Sequence, residues 1–137
     1  MSEKKTLTFC LMDAPFENAR TTTAFRLIDA AVRRGCNVNV FAYEGAVCIP
    51  FSKQAVHPNK VHGCEAEEWN HPLPKDWVTE IMSLAEKSGS KVDWINCGLC
   101  VDERGVGESV PGVRKGTPGD LLNWVNASDN TLIIPTK

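Results

Sequence analysis

The sequence predicts one α/β domain with three layers, in which helices cover both faces of a mainly parallel sheet of four to five strands. Three observations lead to this prediction. A strand, a helix and a second strand follow one another near the start of the chain, and helix–strand pairs then recur further along it. The length of 137 residues fits a single domain spanning residues 1–137. No internal repeat or low-complexity tract interrupts this order.

The first strand–helix–strand unit is the clearest part of the pattern. Residues 6–12 (TLTFCLM) form a short apolar run rich in strand formers, and turn-forming residues follow it. Apolar residues recur at helical spacing over residues 21–34, and Gly35 follows as a typical helix stop. Residues 37–43 (NVNVFAY) then alternate as a strand does. A helix that joins two neighbouring strands predicts a right-handed crossover and parallel pairing.

The stretch at about 44–75 differs from its surroundings and reads as an irregular insertion. It holds four of the eight prolines and all three histidines, and only part of it has helical character. A compact domain rarely carries so much irregular chain unless the segment serves a site, a lid or a subunit contact. We therefore expect this insertion to have a role beyond connecting two elements.

The remaining elements complete the α/β order. Residues 76–87 restore helical periodicity, and residues 91–96 (KVDWIN) form the next strand. Residues 98–116 are rich in glycine and charge, which predicts a loop. Residues 117–127 then predict a helix and residues 131–135 (TLIIP) the last strand.

Charge and cysteine content narrow the function classes. Fifteen Lys and Arg against seventeen Asp and Glu give a net charge of -2, which disfavours a nucleic-acid partner. The apolar run near the start is too short for a membrane span or a signal peptide, so we expect no membrane association and a cytoplasmic protein. Six cysteines among 137 residues are too few for a disulfide scaffold, so we expect them to be thiols.

Two cysteines at the end of the third predicted strand are the strongest candidates for chemistry. In sheets of this class, ligands gather at the carboxyl ends of strands, where Cys97 lies. If a helix starts at Cys97, then Cys97, Cys100 and Arg104 share one of its faces. Amides at a helix start and a nearby Arg charge both lower the pKa of a thiol.

The spacing of Cys97 and Cys100 leaves several chemistries open. The pair could carry sulfur as a persulfide, form a disulfide with each other, or bind zinc with ligands from elsewhere. Two cysteines packed simply as small apolar side chains are the alternative without chemistry. No glycine pattern matches a phosphate-binding fingerprint, so we expect no nucleotide. Sulfur transfer between thiols needs no organic cofactor, so we expect none.

A second group of metal-type ligands lies in the insertion. Its members are His57, His62, Cys64 and His71. Their spacing matches no zinc motif built from two close pairs, which favours solvated or interfacial histidines. A mixed zinc site, in which Cys64 and a histidine join Cys97 and Cys100, is the stronger metal alternative.

Four segments of the chain, taken together, resemble the DsrE/DsrF/TusD-like sulfur-relay family. They are ENARTTTAFRLIDAAVRRG after the first strand, FAYEGAV after the second, WINCGLCVDERGV, and GTPGDLLNWVNASDNTLIIPT near the end. Their order is collinear with the family over nearly the whole chain, and only residues 50–74 depart clearly from it. The resemblance implies a DsrE-like α/β domain that assembles into homo- or hetero-oligomers.

The resemblance also implies a reactive cysteine. In the family it follows the strand that corresponds to residues 91–96, carries sulfur as a persulfide and exchanges it with a small TusA-like carrier. This position is Cys97 here, and Cys100 departs from the simplest members, which have one cysteine at this place. Some members lack the cysteine, so resemblance alone does not establish catalysis.

We therefore hypothesise a cytoplasmic sulfur-relay protein that acts as a sulfurtransferase, in which Cys97 carries sulfane sulfur as persulfide or thiosulfonate. Cys100 would assist or resolve, and Arg104 and helix-start amides would stabilise the anionic sulfur. The expected partners are a TusA-like or rhodanese-like carrier and further copies of the chain. This hypothesis requires the sulfur of Cys97 to be reachable from solvent. A non-catalytic subunit of a sulfur-transfer complex and a structural zinc protein are the alternatives.

Overall fold

The computed structural model describes residues 4–58, 60–69 and 71–136 and contains five strands and four α-helices within them. The strands are β1 (Thr6–Leu11), β2 (Asn37–Ala42), β3 (Val92–Cys97), β4 (Val113–Gly116) and β5 (Asn130–Ile134). The helices are α1 (Arg20–Arg33), α2 (Pro74–Lys87), α3 (Gly98–Arg104) and α4 (Pro118–Ala127). Three short 3-10 helices span Glu44–Cys48, Lys60–His62 and Ala66–Glu68.

The five strands form one sheet in the order β4-β3-β2-β1-β5, and every neighbouring pair is parallel. The chain steps in one direction from β1 to β4 and then returns across the sheet to β5. With right-handed crossovers, this order puts α1 and α2 on one face and α4 on the other. The predicted three-layer α/β fold with a parallel sheet is confirmed.

Aromatic contacts show the two faces directly. On the first face Phe25 of α1 stacks on Trp77 of α2 at 4.6 Å and lies 6.3 Å from Trp94 of β3. On the opposite face the guanidinium of Arg114 in β4 lies 5.9 Å from the ring of Trp124 in α4. The core is therefore thickest between the sheet and the α1–α2 pair, where the Trp94 side chain is fully buried.

The glycine-rich stretch at 98–116, predicted as a loop, contains both α3 and β4. This prediction was wrong because both elements are too short to show periodicity. The seven residues of α3 make two turns, and β4 is a four-residue edge strand whose central Arg114 and Lys115 are exposed. Ion pairs hold these two side chains, Arg114 to Asp93 at 3.0 Å and Lys115 to Asp102 at 3.1 Å.

The segment at 44–75 begins as part of the core. Ala46, Val47 and Ile49 are 0% exposed, and the 3-10 helix Glu44–Cys48 packs against α3. Gly45 is needed there, because a Cβ atom at this position would lie 2.9 Å from the backbone nitrogen of Ala14. The irregular chain follows this turn. None of the helices in the described part of the chain is both long and apolar enough to span a bilayer.

Candidate functional site

The carboxyl edge of the sheet places Cys97 and Cys100 side by side. Cys97 is the last residue of β3 and the N-cap of α3, and Cys100 lies in the first turn of that helix. Residues three apart on a helix face the same side, and the neighbouring Cys97 side chain raises the pKa of the Cys100 thiol. Both are thiols in the structure. The structure thus brings together the two sulfur atoms that the sequence singled out.

Both cysteines are buried, which differs from the accessible sulfur that the sequence hypothesis requires. Cys97 is 2% exposed and Cys100 is 6% exposed. Strand β3 lies inside the sheet between β2 and β4, and the 3-10 helix Glu44–Cys48 covers α3. Access by a large donor therefore requires local displacement of this covering turn.

A backbone amide from the neighbouring strand end reaches the pair. The Glu44 N–H donates to Cys100 Sγ at 3.2 Å. Glu44 directly follows the extended Tyr43 and has a φ of 50°, in the left-handed region that few residues other than glycine adopt. Such conformations cost of order 1–3 kcal/mol and persist where the surrounding structure enforces them. The strained turn aims a hydrogen-bond donor at the site.

This donor differs from the one expected from the sequence. We expected amides at the start of α3 to stabilise the sulfur of Cys97, but that side chain forms no capping hydrogen bond. Instead, the amide comes from the turn after β2 and serves Cys100. The segment FAYEGAV that forms this turn is visible in the sequence. Every residue except proline has a backbone N–H, so residue type could not indicate that this amide donates to Cys100.

The surroundings of Cys100 act on the pKa of its thiol in both directions. Burial raises the pKa of Cys100, and the hydrogen bond and charge of the adjacent Cys97 sulfur raise it further. The Glu44 amide and the Arg104 charge act in the opposite direction on this pKa. Arg104 is exposed in the last turn of α3 and also lowers the pKa of Cys48, which burial and the Glu17 carboxylate raise. The charge of Arg104 thus acts on Cys100 and Cys48, and its predicted role toward sulfur carried on Cys97 stays a prediction.

Asn96 is a buried polar residue that the sequence analysis did not single out. Its side chain is 2% exposed and accepts a hydrogen bond from Trp94 Nε1 at 3.1 Å. Its amide donates to the carbonyl oxygen of Val47 at 3.1 Å and to Ser109 Oγ at 3.3 Å. These bonds tie the end of β3 to the turn that covers α3. The sequence shows only an asparagine directly before Cys97 at the end of a strand, and its burial and contacts come from the tertiary structure.

An exposed apolar side chain lies between the two cysteines. Leu99 is 70% exposed, although Cys97 and Cys100, which flank it in the sequence, are both buried. Exposed apolar residues beside a site often mark a place where a partner binds.

Two of the alternative zinc ligands of the insertion contact the same aromatic ring. His57 and His71 both lie against the Trp69 ring, at 5.6 Å and 4.7 Å between ring centroids. Cys64 is exposed, and the side chain of His62 lies outside the described residues. Over residues 4–58, 60–69 and 71–136, no three His, Cys, Asp or Glu side chains are arranged to hold a metal ion.

Comparisons with known proteins agree with the architecture. Two archaeal relatives have similar sequences: an uncharacterized protein of Methanopyrus kandleri is 28% identical over 92% of this chain and 91% of its own length. A second, from Methanocaldococcus jannaschii, is 27% identical over 91% of this chain and 96% of its own length. The crystal structure of the ychN protein from E. coli matches 95% of this chain and 99% of its own, with a TM-score of 0.73 at 19% identity, and so shares the fold.

The model of the DsrE/DsrF-like family matches residues 5–133, a range that includes β1 to β4, all of β5 except its last residue, and the Cys97–Cys100 pair. The earlier resemblance is therefore confirmed for almost the whole chain. At the level of the family this match indicates sulfur relay in general. The parallel five-stranded sheet and the match over residues 5–133 show that this chain belongs to the DsrE/DsrF-like family.

Proposed function

We propose that this protein carries sulfane sulfur on Cys97 and passes it to the thiol of a sulfur-carrier protein in the cytoplasm. The observation that supports this most is the pairing of two thiols at the end of β3, in a chain that belongs to a sulfur-relay family. Ligand sites of parallel α/β sheets lie at this edge. Cys100 and Arg104 complete the proposed site.

The proposed chemistry is thiol exchange without a net change of oxidation state. The Cys97 thiolate attacks the outer sulfur of a donor persulfide, and the donor's S–S bond breaks as its inner sulfur leaves as a thiolate. Cys97 then holds the cargo as a persulfide. In the second step an acceptor thiolate attacks the outer sulfur of that persulfide, and the Cys97 thiolate is regenerated. Each step forms one S–S bond and breaks one.

Burial shapes which donors can act. Because Cys97 is only 2% exposed, the donor that fits is an inorganic polysulfide or a small persulfide. The reacting end of either donor is a chain of sulfur that is one atom wide. Exchange with a protein thiol then involves displacement of the turn Glu44–Cys48 from α3. The exposed Leu99 gives a TusA-like or rhodanese-like carrier an apolar contact next to the sulfur.

We also propose that the protein forms a homo-oligomer. The edge strand β5 and helix α4 expose several large apolar side chains, namely Leu122, Val125, Leu132 and Ile133. Among the described residues, strand β5 also forms one outer edge of the sheet and pairs only with β1. Sedimentation of the wild type and of Ile133→Glu tests this assembly, and a wild type that sediments as a monomer would contradict it.

The test of the proposed function is sulfur loading followed by intact-mass spectrometry. Purified protein treated with polysulfide and then desalted should gain the mass of one or more sulfur atoms. Cys97→Ser should abolish this gain. Cys36→Ser is the matched control, because Cys36 lies at the amino-terminal end of β2, whereas Cys97 lies at the carboxyl end of β3. The Cys36→Ser protein should load like the wild type. Equal loading of Cys97→Ser and the wild type contradicts the proposal.

A further inference from the structure

A cleft between the starts of α1 and α2 is lined by neither cysteine of the candidate site. Its volume is about 590 Å³, which is within the range of small-molecule sites. The loop after β1, the first turns of α1 and the chain that enters α2 form its walls. Three of the described lining residues are prolines, and four carry aromatic rings, namely Phe16, Phe25, His71 and Trp77. The walls of this cleft are therefore mostly flat and apolar.

The cleft contains a buried polar group without a partner. Thr21, in the first turn of α1, is 8% exposed, and its Oγ1 has no hydrogen-bond partner among the described residues. Buried polar groups are almost always paired, so an unpaired hydroxyl at a cleft indicates a place for an external partner. Threonine adopts two χ1 rotamers in helices, so rotation about one bond can turn this hydroxyl toward an occupant of the cleft.

The rim of the cleft holds a second unpaired donor. Trp69 packs against Phe16 on one side and His71 on the other, at 6.1 Å and 4.7 Å between ring centroids. Its indole N–H is buried and also has no partner among the described residues. Over residues 4–58, 60–69 and 71–136, Thr21 and Trp69 carry the only buried side-chain polar atoms without a partner. Both belong to this one region.

Phe16 is an exposed ring in a strained loop at the cleft. Its φ of 75° lies in the left-handed region that bulky residues rarely adopt, and the residue is 62% exposed. Strained backbone of this kind is typical of segments that clamp a ligand. An occupant of the cleft would remove part of this apolar surface from water, which favours binding.

We propose that this cleft binds a neutral, planar aromatic molecule that carries a hydrogen-bond acceptor. The flat walls favour a planar ring. An indole N–H can only donate, and a threonine hydroxyl can donate, so Trp69 and Thr21 both suit an acceptor. Apart from His71, none of the described lining residues is ionisable, so a charged ligand would lack a fixed counter-charge. This inference does not rest on the proposed function.

Quinoline and naphthalene are the two probes that test this site. Both consist of two fused aromatic rings, but only quinoline has an acceptor, and it carries no charge at neutral pH. Two-dimensional ¹H–¹⁵N NMR titrations report the affinity and the residues whose signals shift. Thr21→Val removes the hydroxyl and keeps the shape of the side chain. Thr23→Val is the matched control, because Thr23 is exposed on α1 and does not line the cleft. Thr22→Trp fills the cleft from an exposed lining position.

We expect quinoline to bind the wild type and Thr23→Val equally, with shifts at Thr21, Trp77 and the Trp69 indole N–H. Thr21→Val should weaken quinoline binding about three- to tenfold, as the loss of one neutral hydrogen bond does, and leave naphthalene binding within about twofold. Thr22→Trp should abolish the binding of both probes. The free Thr21→Val protein should unfold at a higher urea concentration than the wild type, because a methyl group replaces an unpaired buried hydroxyl.

Three results would overturn the inference. The first is a wild type that shows no saturable binding of quinoline. The second is a Thr21→Val protein that loses quinoline and naphthalene to the same extent, and the third is a Thr22→Trp protein that binds both probes normally. The NMR spectrum of each variant shows whether it is folded. The titrations use no sulfur donor, so a failure of sulfur loading on Cys97 would leave this site unaffected.

Discussion

Replacing Asn96 by Asp should strongly destabilise the protein while keeping the shape of the side chain. The amide of Asn96 donates to Val47 and Ser109, and its oxygen accepts from Trp94 Nε1. A carboxylate retains the bond from Trp94 but cannot donate. It would place a negative oxygen against the Val47 carbonyl oxygen at a position that is 2% exposed.

The size of the effect follows from these contacts. A buried carbonyl that loses its donor costs about 1–3 kcal/mol, and an uncompensated buried charge brings the total to about 3–5 kcal/mol. Burial raises the pKa of the new carboxyl above its unfolded value of about 3.9. Below that value both states are protonated, and the acid can donate to Val47. As the pH rises from about 4 to the pKa of the carboxyl in the folded state, the unfolded state loses its proton first. The loss of stability relative to the wild type therefore grows over this range and stays constant above it.

Urea unfolding of the wild type and Asn96→Asp over a series of pH values measures this difference. Asn123→Asp is the matched control, because Asn123 is exposed on α4, and it should unfold within about 0.5 kcal/mol of the wild type. An Asn96→Asp protein that is as stable as the control at pH 7 would refute the assignment of Asn96 as a structural donor.

Three further changes test other parts of the account. Arg104→Gln should raise the pKa of the Cys100 thiol slightly, and because the lost charge is exposed, this increase should shrink as salt is added. Thiol titration at two ionic strengths measures the change, and a lowered pKa would contradict the prediction. Leu99→Glu should leave stability and polysulfide loading unchanged and slow transfer to a protein acceptor several-fold, and equal transfer rates would exclude this contact from the partner surface. Gly116→Ala should cost about 1–3 kcal/mol in urea unfolding, because its Cβ would lie 2.6 Å from two side-chain atoms, whereas Gly119→Ala, within helix α4, should be neutral or stabilising.

The layers and strand order of the fold were largely predictable because they rest on long, periodic segments. Helix α1 shows its apolar face at regular spacing, and β2 alternates as a strand does. The parallel pairing followed from the right-handed crossover between them. Elements without such a signal were missed. Helix α3 is too short for a period, and β4 carries two charged residues whose partners lie elsewhere in the chain.

The pair of cysteines in the candidate site was predictable from the sequence, and its surroundings were not. Residue type and position identified Cys97 and Cys100, since two thiols three residues apart at a strand end are seldom explained by core packing alone. The contacts of Glu44 and Asn96 depend on tertiary structure: one is a backbone amide, and the other is an amide side chain that could equally lie on a surface. The burial of Cys97 also depends on how the turn after β2 packs on α3, which no local pattern encodes.

The most direct measurement of the central claim is the position of the loaded sulfur. Protein treated with polysulfide is alkylated, digested and fragmented in a tandem mass spectrometer, so that the residue carrying the extra sulfur is identified. The account predicts the adduct on Cys97, present in the wild type and in Cys100→Ser, and lost when an acceptor thiol is added. An adduct on Cys100 or on the exposed Cys64, with Cys97 unmodified, would contradict it.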